Sequence, residues 1–176
     1  MMKRIVLSRT EIQEKVRELG RRISHDFRDD ELLLVGVLNG AFIFTADLAR
    51  EIELPVRIDF IRVASYGAGS ASSGTVTFIK DVELPVAGKR VLLVEDIVDT
   101  GRTIARLQEH FLRQGARSVH ICALIDKKER REVEVRADYI GFAVAEGFLV
   151  GYGLDFAEQY RNLPEVYHLE NPGNKA

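Results

Sequence analysis

A single cysteine, Cys122, in 176 residues leaves no partner for an internal disulfide and too few thiolates for a cysteine metal cage. Basic residues are not in surplus either: 25 Lys and Arg stand against 27 Asp and Glu, a net charge of −2. A protein that binds duplex nucleic acid normally carries a basic excess. No apolar run approaches the ~18 residues that cross a bilayer. Residues 1–10 lack the apolar stretch of ~7–15 residues that marks a chain for export, so the expected location is the cytoplasm. There is no Gly-x-Gly-x-x-Gly run for a dinucleotide and no Gly-x4-Gly-Lys-Ser/Thr run for a P-loop. His25, His110, His120 and His168 are scattered without metal-ligand spacing. The chain does contain 46% hydrophobic and 30% charged residues, enough apolar material for a packed core. The length predicts one domain over 1–176, with a small-molecule partner.

Short branched-aliphatic runs alternate with amphipathic ones, the pattern of a layered α/β domain. Ile12, Val16, Leu19 and Ile23 recur at helical spacing and predict a helix over 10–27, with Thr10 and Gln13 as its capping box. The continuous apolar stretch 31–38 predicts a strand buried on both faces, followed by a helix over 41–51. Further strands are expected at 55–63, 75–79, 89–94 and 118–125, and short ones near 139–142 and 148–150. A helix whose face carries Ile104, Leu107, Phe111 and Leu112 should end at Gly115. A helical turn near 156–160 and a polar tail complete the chain, and no repeat of 20–50 residues is visible. The stretch 65–74 consists almost entirely of small residues, which bury too little area to offset backbone ordering, so a mobile flap is expected there.

The run from Val91 to Thr103 carries the chemistry. A buried strand ends in two adjacent carboxylates, Glu95 and Asp96, and a polar turn of Asp99, Thr100, Gly101 and Arg102 leads into a helix. Ligands of open parallel sheets sit beyond the carboxyl ends of the strands. Backbone N–H groups at a helix start, with the Thr100 and Thr103 hydroxyls, cradle a phosphate. Carboxylates beside a phosphate seat repel the ligand unless they meet sugar hydroxyls or a divalent cation, which points to a phosphorylated sugar with Mg2+.

This run resembles the phosphoribosyl diphosphate signature of type I phosphoribosyltransferases, and its flanks resemble the 6-oxopurine branch, the hypoxanthine-guanine phosphoribosyltransferases. The likeness extends from about Leu33 to Pro164. It implies a mostly parallel central sheet flanked by helices, a flexible flap at about 65–75 and a small C-terminal hood at about 139–176. It implies that Glu95 and Asp96 hold the ribose, and that Asp99, Thr100, Gly101, Arg102 and Thr103 wrap the 5′-phosphate. Asp99 becomes the catalytic acceptor of the purine N7 proton. Asn39 and Gly40 fall in the pyrophosphate loop, where the family forms a non-proline cis peptide and commonly carries Lys or Arg in place of Asn39. Ser65 and Tyr66 open the lid. Lys127 matches the donor to the purine 6-oxo group, Phe148 the aromatic that stacks on the base, and Leu149 a backbone contact to it. Asp155, with Glu95 and Asp96, matches the Mg2+ carboxylates, and Arg161 a pyrophosphate-binding arginine. The charged run Lys128, Glu129, Arg130 and Arg131 reads as a solvated face.

The implied activity is transfer of the 5-phosphoribosyl group from 5-phosphoribosyl 1-diphosphate to hypoxanthine and guanine, releasing pyrophosphate, by a homodimer or homotetramer. A xanthine-preferring enzyme and an RNA-binding regulator on the same fold are the alternatives. Lys127 with Phe148 favours a purine enzyme, and the missing basic surplus weighs against RNA. A signalling receiver domain shares an acidic strand end. It would need a phosphoacceptor Asp at the end of a buried strand about fifty residues later, where Asp138 instead stands before its strand, and it would leave some ninety residues before Val91 unexplained.

Overall fold

The structure, a computed structural model, describes residues 3–65 and 76–170. In chain order the elements are β1 (Lys3–Leu7), α1 (Arg9–Asp26), β2 (Leu32–Leu38), α2 (Phe42–Glu51), β3 (Val56–Ser65), β4 (Val76–Lys80), β5 (Arg90–Val98), α3 (Arg102–Arg113), β6 (Ser118–Lys127), β7 (Tyr139–Val144), β8 (Leu149–Val150) and β9 (Val166–Leu169). Six strands form the main sheet in the order β4-β3-β2-β5-β6-β7, all parallel except the β3–β4 pair. The expected mostly parallel sheet is therefore present. The flap expected at 65–75 and the lid residue Tyr66 lie outside the described residues, apart from Ser65 at the end of β3.

Side chains alternate across a strand, and that alternation sorts the continuous apolar runs into two cores. Leu32, Leu34, Leu92, Val94, Cys122 and Leu124 pack beneath α1 and α2, against Leu19, Ile23, Phe44 and Leu48. Leu33, Val35, Val91 and Leu93 face the other way, onto Leu107 and Phe111 of α3. Each such fully buried side chain contributes roughly 1.5–3 kcal/mol. With both faces covered, β2, β5 and β6 are rigid supports for whatever stands on their carboxyl ends.

Several local expectations are corrected. The capping box of α1 is Ser8 with Glu11, not Thr10 with Gln13: the Ser8 side chain accepts from the Glu11 N–H at 3.3 Å, and Glu11 Oε2 accepts from the Ser8 N–H at 2.8 Å. Leu7 and Ile12, on either side of this cap, are both buried in the first core, which sets the entry of the chain two residues earlier. β5 runs on to Val98, so Glu95 and Asp96 lie within the strand rather than after it. The predicted helical turn at 156–160 is a tight β-turn instead. Ala157 and Glu158 both have positive φ, 51° and 62°, and Phe156 and Gln159 exchange two backbone hydrogen bonds of 3.1 Å.

The polar tail contains β9, and the first residues contain β1. These two pair antiparallel with each other, and β8 joins them in a separate three-stranded sheet. The hood region of 139–176 is thus divided: β7 is the edge of the main sheet, and the small sheet is completed from the opposite end of the chain. Among the described residues no helix is long and apolar enough to cross a membrane.

Candidate active site

The carboxyl ends of β2 and β5 open into a cavity of about 440 Å3. Gly40, Glu95, Asp96, Asp99, Thr100, Gly101, Thr103, Asp155 and Arg161 all line it, although they come from four stretches of the chain. The parallel crossovers bring Gly40 and the 95–103 run to one rim, and Asp155 and Arg161 reach it from the segment between β8 and β9 of the small antiparallel sheet. The Leu38–Asn39 peptide is cis, as the resemblance implied.

The 99–103 side of the cavity presents backbone. Gly101 precedes α3 at φ 84°, and no side chain caps the helix. Beyond the Arg102 N–H, the first-turn N–H groups of Thr103 and Ile104 meet no side-chain cap among the described residues and stand at the positive end of the helix dipole. A Cβ at Gly101 would fall 2.3 Å from the Val133 carbonyl oxygen, so this turn accepts glycine on both sterics and φ. Thr100 Oγ1 receives the Arg102 N–H at 3.3 Å. The Arg102 side chain pairs with Glu132 and does not line the cavity.

Glu95 and Asp96 are each 7% exposed. Burial, and next the Asp96 charge beside it, push the Glu95 carboxyl well above the usual carboxylate range. Burial raises Asp96 as well, against the Ile97 N–H and the Arg161 charge, which pull it down. A carboxyl raised in the folded state stabilises the fold while protonated, and that contribution is lost as pH rises through its raised value. Glu95→Gln removes the ionisation penalty while keeping the shape. We expect the ligand-free variant to melt about 2–4 °C above the parent at pH 7–8, the shift that ~1 kcal/mol produces in a domain of this size. Calorimetric scans from pH 4.5 to 8 check it: the gain should fade toward the acid end, and a lower melting point at pH 8 contradicts it.

Asp99 combines one engaged and one idle oxygen. Its Oδ2 lies 3.5 Å from Arg130 Nη1, while its Oδ1 is buried and has no hydrogen-bond partner among the described residues. An acceptor left so costs about 1–3 kcal/mol, and the cost is recovered when a donor arrives. Also lining the cavity, Arg161 Nη2 stands 3.1 Å from Asp155 Oδ1, and Arg161 Nη1 donates to the Gly153 carbonyl at 2.8 Å.

The expected base-recognition residues stand outside this cavity. Lys127 is 7% exposed, with Nζ 3.2 Å from Glu129 Oε2. Phe148 is exposed and meets Phe156 edge to face at 5.4 Å, and Leu149 is buried in β8. Asn39 does not line the cavity; its carbonyl accepts from the Phe42 N–H.

The charged run 128–131 is no uniform solvated face. Arg130 lines the cavity beside Asp99, and the Arg131 side chain is only 10% exposed, paired with Asp126. Four consecutive charges carry no periodic signal of this. Only Gly101 hints at it, since its missing Cβ lets the 131–133 segment close over the turn.

A family model described as phosphoribosyl transferase domain matches residues 7–157. The hypoxanthine-guanine phosphoribosyltransferase of Aquifex aeolicus is 44% identical over 169 residues, 96% of this chain and 95% of that protein. The enzyme of the same name from Bacillus subtilis is 44% identical over 94% of this chain and 92% of its own. A bifunctional TilS/HprT protein of Listeria monocytogenes is 46% identical over 165 residues, 26% of its length. Among solved structures, a hypoxanthine-guanine phosphoribosyltransferase from Bacillus anthracis superposes with a TM-score of 0.92 at 42% identity, covering 97% of this chain and all of that one. A hypoxanthine phosphoribosyltransferase from Staphylococcus aureus gives 0.91 at 38%, covering 95% of this chain and 91% of its own. The fold is that of the type I enzymes, and with Glu95, Asp96, Asp99 and the bare helix start gathered on one rim, the chain belongs to the phosphoribosyl transferase family.

Proposed function

We propose the following roles for this chain, a purine-salvage pentosyltransferase that moves the 5-phosphoribosyl group from 5-phosphoribosyl 1-diphosphate to hypoxanthine and guanine. Glu95 and Asp96 take the ribose hydroxyls, and the 99–103 turn with the amino end of α3 takes the 5′-phosphate. The backbone at Asn39 and Gly40 with Arg161 holds the pyrophosphate, so the Asn39 side chain is not required for that contact. Asp99 accepts the N7 proton of the purine and makes N9 the better nucleophile. Lys127 turns from Glu129 to the 6-oxo group, which excludes an exocyclic amino group at that place. Phe148 stacks on the base, Leu149 contacts it through its backbone, and Ser65 and Tyr66 open the lid.

The donor set suits Mg2+. Glu95, Asp96 and Asp155 offer hard carboxylate oxygens on one cavity. Among the described residues no three His, Cys, Asp or Glu side chains converge as a protein cage. Mg2+ characteristically uses one or two carboxylates and completes its shell with water and substrate phosphate oxygens. When bound, the ion neutralises the departing pyrophosphate. The homo-oligomeric and cytoplasmic expectations belong to the same reading.

One observation carries the proposal: the buried, idle oxygen of Asp99 at the mouth of the phosphate turn. Pyrophosphate release tests it, measured with hypoxanthine, guanine, xanthine and adenine in turn, with Mg2+ and after chelation. Release with hypoxanthine and guanine, abolished by the chelator, is expected. Release independent of any base, or with adenine as the preferred acceptor, refutes it.

A further inference from the structure

Arg131 is the best-connected side chain near the site, and the roles above give it nothing to do. Its side chain is only 10% exposed. Nε donates to the Asp99 carbonyl at 3.0 Å, and Nη2 is shared among the Val98 carbonyl at 3.3 Å, the Lys127 carbonyl at 3.4 Å and Asp126 Oδ1 at 2.5 Å. The chain just after it completes the join: the Glu132 and Val133 N–H groups both donate to the Thr100 carbonyl, at 2.9 and 3.0 Å. One planar cation thus clasps the end of β5, which carries the phosphate turn, to the end of β6, which carries Lys127. A flexible point charge lacks the fork that such a join requires.

We propose that Arg131 is a positioning residue that couples the two substrates. On the functional reading above, the 5′-phosphate orders the 99–103 turn and the purine engages Lys127. With both backbones held by one guanidinium, ordering the first orders the second, so the second ligand meets a site already set. The coupling is reciprocal by thermodynamic necessity.

Titration calorimetry with ribose 5-phosphate, which has no leaving group and cannot turn over, and hypoxanthine reads this directly. In the parent protein saturating ribose 5-phosphate should tighten hypoxanthine binding at least tenfold. In Arg131→Lys, which keeps the charge and loses the fork, the factor should fall below two, while ribose 5-phosphate alone binds within threefold of the parent. Asp126→Asn weakens the same clasp more mildly and should give an intermediate factor, which keeps the test open if the lysine variant does not fold. Full coupling in a folded variant overturns the proposal, even if its melting point drops, because a merely structural residue would do that. Tight but uncoupled binding of both ligands by the parent also overturns it and leaves the functional reading standing. Failure of the parent to bind either ligand removes both.

Discussion

Asp99→Asn should lower turnover by about 10²–10⁴-fold, the usual worth of a positioned proton acceptor. The amide fills the same volume but cannot take up a proton. The idle Oδ1 is the geometric ground for the size of the effect: it is buried, unpartnered and on the cavity rim. Donor binding should survive, because the seat proposed for the 5′-phosphate draws on backbone N–H groups that the substitution leaves in place. Single-turnover rates with hypoxanthine, beside the dissociation constant for 5-phosphoribosyl 1-diphosphate, separate the two. Turnover within threefold of the parent removes Asp99 as the acceptor. A donor constant weakened more than tenfold makes it a phosphate-loop residue instead.

Gly40→Ala should be nearly as damaging, for a steric reason. A Cβ at this position would stand 1.9 Å from Asp96 Oδ2 and 2.7 Å from its Cγ. The carboxyl cannot simply swing aside, since Asp96 is buried and its Oδ1 already accepts the Ile97 N–H at 2.8 Å. Either the loop at Gly40 or the Asp96 carboxylate must move by an ångström or more. Misplacement on that scale costs roughly 10²-fold even when no reacting group is lost. We expect kcat/KM for the donor to fall by about that factor or more. The KM for pyrophosphate in the reverse direction should rise with it. Parental values for both would mean that the loop and Asp96 do not share a ligand.

Much of this molecule is legible along the chain. The buried strands announce themselves because a two-sided parallel sheet demands unbroken apolar runs, and β2, β5 and β6 have them. The 99–103 turn is equally local, since a strand, two acids, a glycine and a helix start within thirteen residues leave few other geometries. Ends and edges are different. Thr10 with Gln13 and Ser8 with Glu11 offer the same capping pattern, and burial of Leu7 and Ile12 decides between them. β1 and β9 are weak strands singly, and each becomes one only because the other lies opposite.

The sequence by itself therefore determined the α/β alternation, the strand–turn–helix at 91–103 and the acidic pair within it, all legible from local pattern. Tertiary structure alone decided that Arg131 is a buried clasp rather than one of four solvated charges. It likewise decided that Asp99 keeps an idle oxygen and that Gly40 must stay bare against Asp96. Each of those depends on what a segment tens of residues away presents at ångström range. Desolvation and steric exclusion act only once the chain has closed.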